Sequence, residues 1–440
     1  MKLIIMKNPL FLLCLFVSFA TFAQHHIQGQ FSPAESFNFA LLYHVTPTGT
    51  NYVEQAKTDT DGNWSIDLDA DSEIGIYKIV YATPVEDNNF DVFYNGKESI
   101  SLLFDVETGL HFTASEENKL WQTYTDSILK INSSIGRYYM SQKTDSSEIT
   151  AIFKNLKSTQ DFYEKESTDM MISPFVKSNK TYIPSTYEDV SSYSLNLKKH
   201  YFDYMDFSNP LLQSSDFLNE RVTAYVFAMP EDANYYKMAV DDVVKATNDT
   251  DEAKIMVLEN LWKIMIDKQQ PDVANYISDT YLLPLAKTFN RTYLLETLED
   301  YNKSAIGKKA MDFNFTYLEN SKVIKTNLHS FNTKKSTLLI FWSSGCGHCL
   351  EELPKVKTLM AQHPEITVLA YALEDGVRNW NQTIEHFPSF IHTYDLKKWD
   401  SPLIKAYGVS ATPSYFVLDS DKVILAKPEH VEDLETYFNE

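Results

Sequence analysis

The sequence predicts a multidomain chain of mixed α+β and α/β class: an N-terminal β-sandwich over 24–115, a middle α-helical region over 116–303, and a C-terminal domain of alternating strands and helices over 304–440. Three observations carry that reading. Strand-length apolar runs separated by turn residues fill the first segment, and a helical period replaces them in the second. In the third, a continuous apolar strand leads directly into Cys346-Gly347-His348-Cys349.

Residues 1–23 read as a signal peptide. Lys2 and Lys7 form a positive start, Leu10 to Phe22 is almost wholly apolar, and Thr21-Phe22-Ala23 puts small residues where a signal peptidase cuts. Cleavage is expected before Gln24, which makes the protein periplasmic or otherwise extracytoplasmic; an uncleaved anchor is the alternative. Cys14 follows Leu12-Leu13 and lacks the small residues of a lipid-attachment site. No later segment is long and apolar enough to span a bilayer, so no stable membrane span is expected after cleavage. The whole chain carries a net charge of −21, and losing Lys2 and Lys7 takes it to −23. Nucleic acid and anionic membrane surfaces are therefore poor partners.

In the first segment, Phe37–Tyr43, Trp64–Leu68 and Ile76–Val80 read as antiparallel strands. Phe90–Tyr94 and Ser99–Phe104 flank Asn95-Gly96, whose tolerance of positive φ suits a tight hairpin. In the second, Leu258, Leu261, Trp262 and Met265 share one helix face, and Pro184, Pro210, Pro230 and Pro271 cut the region into several helices. Its many tyrosines and phenylalanines read as helix-to-helix packing. In the third, Ser336–Trp342, Ile366–Ala372 and Ser414–Leu418 read as strands, and a helix begins near Leu350.

Cys346 and Cys349 are the only cysteines left once residues 1–23 are gone. An exported chain with no other thiol has no structural disulfide framework, and a bond closing so small a ring staples nothing. The pair therefore exists for chemistry. Cys346 stands at a helix N-terminus, where unpaired N–H groups and the helix dipole lower a thiol from its reference of about 8.5. A zinc site would need four ligands; no second cysteine pair exists and His348 lies too close in sequence to complete a tetrahedron, so no metal is expected.

The strand, the Cys-Gly-His-Cys, the helix with Pro354, and the block from Tyr407 to Phe416 containing Thr412-Pro413 together resemble a thioredoxin fold. The resemblance is to bacterial extracytoplasmic thiol-disulfide oxidoreductases of the TlpA/ResA type, and it covers about the last third of the chain. It implies a redox-active disulfide, Cys346-Cys349, with no other cofactor. Cys346 is then the nucleophile and Cys349 the resolving thiol, while Gly347 and His348 tune the potential. Pro413 matches the family's cis-proline, which lets the backbone of Thr412 pair with a substrate strand; Trp342 is expected to join them in binding substrate. Glu352, three residues past Cys349 on one helix face, matches a family glutamate and is expected to handle the proton of Cys349. Two positions depart from the wider pattern: Gly345 replaces a tryptophan, opening the surface beside Cys346, and Ile340 replaces a buried acid.

The expected function is exported thiol-disulfide exchange with protein substrates. A membrane-borne electron donor is implied if it reduces; the family likeness favours reduction, and Gly-His favours oxidation or isomerisation. The alternative is a binding protein whose first two segments recognise a partner while the last domain senses redox state. A peroxiredoxin is excluded, because the proline that would precede its nucleophile is missing around Leu339 and Ser343.

Overall fold

The computed structural model describes residues 25–439 apart from 86, 142–145, 320–321 and 333–334. The expected signal peptide and its cleavage site lie outside the described residues. Among the described residues no helix is long and apolar enough to cross a membrane. The chain divides into two compact units between Leu218 and Asn219.

Eight strands open the first unit: β1 (His26–Ser32), β2 (Phe39–Thr46), β3 (Gly49–Lys57), β4 (Asn63–Asp67), β5 (Gly75–Val80), β6 (Asn89–Tyr94), β7 (Ile100–Asp105) and β8 (Gly109–Ala114). They form two four-stranded sheets, ordered β4-β1-β7-β8 and β3-β2-β5-β6. Ile27, Phe31, Trp64, Ile100 and Leu102 from one sheet and Leu42, Tyr77, Ile79, Val92 and Tyr94 from the other share one buried core, the sandwich expected from sequence. Two details differ. β1 runs parallel to β7, and Asn95-Gly96 closes no hairpin: Gly96 does adopt φ +71°, but β6 pairs with β5 while β7 pairs with β1 and β8. Burying Val92 and Tyr94 opposite Ile100 and Leu102 in one core sends the two strands to different sheets, and that burial outweighs the turn's local preference.

Among the described residues eleven α-helices follow: α1 (Glu116–Met140), α2 (Ser146–Glu166), α3 (Ser173–Ser178), α4 (Val190–Lys199), α5 (Pro210–Gln213), α6 (Phe217–Phe227), α7 (Ala233–Ala246), α8 (Asp251–Asp267), α9 (Pro271–Ile277), α10 (Leu283–Thr288) and α11 (Thr292–Ser304). Pro210 and Pro271 start their helices, where the missing N–H costs nothing. Leu258, Leu261, Trp262 and Met265 are all buried on α8, as their spacing predicts.

The helical segment expected as one domain over 116–303 is split between the two units. α1 is tied to the strands by two amides one turn apart. Asn118 exchanges hydrogen bonds with Phe93 N–H (2.9 Å) and Phe93 C=O (2.8 Å), and Gln122 accepts from Phe112 N–H (3.1 Å). Both pairings satisfy strand backbone that would otherwise lie open. α9 and its neighbours are tied instead to the chain that enters the last domain: Asn275 donates to Ile306 C=O at 2.9 Å, and Asp279 pairs with Lys308.

The last domain comprises β9 (Asn314–Glu319), β10 (Lys322–Asn327), β11 (Ser336–Trp342), α12 (Gly347–Gln362), β12 (Ile366–Ala372), α13 (Arg378–Ile384), β13 (Ile391–Tyr394), α14 (Pro402–Ala406), β14 (Ser414–Leu418), β15 (Ile424–Ala426) and α15 (Val431–Asn439). Five strands form one sheet ordered β13-β12-β11-β14-β15, with β11, β12 and β13 parallel, β14 antiparallel to β11 and β15 antiparallel to β14. The central β11 is apolar throughout because both faces are covered. Leu338, Ile340 and Trp342 join the core under α12 and α15, while Leu339 and Phe341 join the core on the opposite face with Tyr407 and Phe416.

Candidate active site

β11 ends at Trp342, and the next residues turn tightly into α12. Cys346 N–H donates to Ser343 C=O at 3.1 Å and Gly345 N–H to Ser343 Oγ at 3.2 Å. Ser344 N–H donates at 2.5 Å to Oε1 of Glu374, a buried carboxylate just past β12. A charged acceptor on a loop N–H is a strong restraint, and it lies two residues before Cys346. Nothing in the sequence marked Glu374, because the contact is made across the sheet.

Cys346 is the N-cap of α12, and its Sγ accepts from Cys349 N–H at 3.4 Å. Burial acts to raise this thiol. Hydrogen bonds from the Thr412 side chain, from Cys349 and from His348 N–H outweigh it, so Cys346 is held below its ordinary value. Cys349, one turn on, is fully buried; burial first, then its hydrogen bond with Cys346, pushes it up to about 12. The two thiols are unbonded and differ in the way a captured and a capturing sulfur must: one half-exposed and readily ionised, the other shielded and protonated.

The Thr412–Pro413 bond is cis, as expected. It brings Thr412 C=O to 3.2 Å from Cys346 Sγ, which donates to it as a thiol. His348, Glu352, Thr412, Pro413, Ser414, Tyr415 and His430 line one groove of about 470 Å³ beside the cysteines. Gly347 and His348 are exposed on the first turn of α12, and Gly345 is open: a Cβ there would meet only Ser343 Oγ, at 3.8 Å. Glu352 is half-buried and accepts from the Tyr415 hydroxyl at 2.7 Å.

Trp342 requires a correction. It was expected to touch substrate, but strand alternation points it into the core that also holds Cys349, where it is 0% exposed. It shares that core with the buried Cys349. Among the described residues no group of three or more histidine, cysteine or acidic side chains is placed to hold a metal.

A central sheet with β14 antiparallel to β11, a dithiol at the start of α12 and a cis-proline against its first sulfur define a thioredoxin-fold dithiol protein. Residues 305–439 match the Redoxin family model. Over 140 residues the chain is 31% identical to the thiol-disulfide oxidoreductase ResA of Bacillus thuringiensis, an alignment covering 30% of this chain and 76% of that protein, and it is equally similar to ResA of Bacillus cereus. The chain belongs to the ResA family of thiol-disulfide oxidoreductases, and its last domain is the oxidoreductase. Among solved structures it is similar to a thioredoxin-like protein from Bacteroides caccae (20% identity, TM-score 0.38, covering 59% of this chain and 96% of that one). It is also similar to a domain of a possible thiol-disulfide isomerase from Cytophaga hutchinsonii (30% identity, TM-score 0.27, covering 30% and 90%).

Proposed function

We propose that the protein is exported and exchanges disulfides with protein substrates through Cys346 and Cys349. The observation that carries this reading is the opposed environment of the two sulfurs: Cys346 lowered and half-exposed at a helix start, Cys349 raised and buried. In the reducing direction the Cys346 thiolate attacks one sulfur of a substrate disulfide, and the other sulfur leaves as a thiolate. Cys349 then gives its proton to Glu352 and attacks Cys346 Sγ. The mixed disulfide breaks, the substrate's second sulfur leaves with the bonding pair, and two electrons have passed from the dithiol to the substrate. Oxidation is the same path reversed. The groove supplies Thr412 and Pro413 as the backbone platform for a substrate strand, and His348 and Gly347 border the nucleophile.

The sequence of residues 1–23 supports export. Working as a reductase in an oxidising compartment, the Cys346-Cys349 couple needs a membrane-borne electron donor to return it to the dithiol; a glutathione-buffer titration placing its potential well below −230 mV assigns that direction. Similarity to thiol-disulfide oxidoreductases favours exchange over a binding protein that only senses redox state, since a sensor uses the same pair of sulfurs.

The test is capture. Full-length protein carrying Cys349→Ser should accumulate mixed disulfides with exported proteins, while Cys346→Ser accumulates none and wild type reduces insulin. Absence of adducts on Cys349→Ser, together with no insulin reduction by wild type, refutes the proposal.

A further inference from the structure

Both oxygens of Glu352 face side chains from other elements of the domain, and neither side chain stood out in the sequence. Tyr415, on β14 two residues past Pro413, is 1% exposed, and its hydroxyl donates to Glu352 Oε2 at 2.7 Å. His430, in the turn before α15, places Nδ1 3.7 Å from Glu352 Oε1, with side-chain exposures of 68% for the histidine and 13% for the glutamate. The carboxylate thus stands between a buried hydroxyl and an imidazole open to solvent. Tyr415 shares its core cluster with Cys349, and Cys349 is three residues before Glu352 on α12, so the same face of the helix carries both.

Other charged groups lie around the carboxylate, among them Lys427, which lines the same groove and donates to Ser304 Oγ at 3.4 Å. Lys355, on α12, is paired with Glu432 of α15 at 3.1 Å. His348 and Glu429 line the same groove, and His430 N–H is itself fixed by Asp433 Oδ2 at 3.0 Å. Among the described residues, His430 approaches Glu352 within ion-pair distance from outside its own helix.

A proton leaving a buried thiol needs an acceptor held in one orientation and a way out to water. We infer that Tyr415 and His430 are positioning residues for the resolving step: Tyr415 locks the Glu352 carboxylate beside Cys349, and His430 carries the collected proton to solvent. The inference rests on the reading of Glu352 as proton acceptor. As Cys349 attacks Cys346 Sγ, its S–H proton passes to Glu352, and the Cys346–substrate S–S bond breaks. The substrate leaves as a thiolate, and the proton moves through the His430 ring to water.

The experiment uses the full chain with Cys346 charged with 5-thio-2-nitrobenzoate, whose yellow anion is released when Cys349 attacks. Release rates are followed from pH 5 to 9 alongside thermal unfolding. Glu352→Gln should slow release across the range. Tyr415→Phe, which removes one oxygen and keeps the packing ring, should slow it about tenfold, as loss of a hydrogen bond to a charged group does. His430→Gln, a surface change, should also slow release while leaving thermal unfolding unchanged, because the proton on Glu352 loses its route to water. If Glu352→Gln leaves the profile unchanged, the acceptor reading fails and this inference falls with it. If Glu352→Gln slows release while Tyr415→Phe and His430→Gln keep the wild-type rates and profile, the inference alone is overturned.

Discussion

Replacing Cys346 by Ser isolates the buried thiol and turns its environment into a measurable rate. In the wild-type site Cys349 is pushed from an ordinary 9.0 up to about 12, with burial the leading cause and the Cys346 side chain the next. Alkylation proceeds through the thiolate, so three units correspond to about a thousandfold less reactive species at pH 8. Cys346→Ser removes the second cause and leaves the first, because the buried core that Cys349 shares with Leu353, Trp342 and Tyr415 stays in place. Cys349 in this variant should therefore react with iodoacetamide at least about 100-fold more slowly than glutathione at pH 8. The pH dependence has a definite sign: a raised value favours the neutral thiol, so the rate climbs about tenfold per unit from pH 7 to beyond pH 10, whereas an ordinary thiol levels off near pH 9. Intact-mass spectrometry of timed samples gives both numbers. A plateau near pH 9, with a rate within tenfold of glutathione, would show Cys349 open to solvent, and the division of labour between the sulfurs would be lost.

Two further outcomes test the surroundings of Cys346. Thr412→Val deletes the side chain that does most to offset the effect of burial on Cys346, so the pH at which that thiol becomes reactive should rise and its alkylation at pH 7 fall several-fold, read in a Cys349→Ser background. Glu374→Ala leaves Ser344 N–H buried without an acceptor and should cost about 1–3 kcal/mol in thermal unfolding of the full chain. Glu374→Gln keeps an acceptor oxygen and should recover most of that loss; equal destabilisation by both variants would show that packing, not the hydrogen bond, holds the loop.

The chemistry was legible in the sequence because it is local. Cys346 and Cys349 lie one helical turn apart, a continuous apolar strand precedes them, and that order alone puts the first sulfur at a helix start and the second inside. The strand over Ser336–Trp342 was placed residue for residue, and its lack of alternation correctly implied a sheet covered on both faces. Reading Trp342 as a substrate contact failed for the same reason: in a strand buried on both faces, nearness in sequence to the cysteines gives no access to the surface. Asn95-Gly96 shows the matching limit, since a turn signal reports the backbone's freedom and not which strands pair after it.

Local spacing and side-chain chemistry thus determined the dithiol and its helix, and the resemblance to the TlpA/ResA type supplied the cis-proline position and the class of reaction. The environment that gives each sulfur its character came only with tertiary structure. Thr412 lies 66 residues from Cys346, Tyr415 63 from Glu352 and Glu374 30 from Ser344. Such partners are chosen by sheet order and by how strand ends converge over one helix tip. A linear pattern holds no signal for them, because the energy that brings them together is spread over the whole buried core and is not carried by the residues that meet.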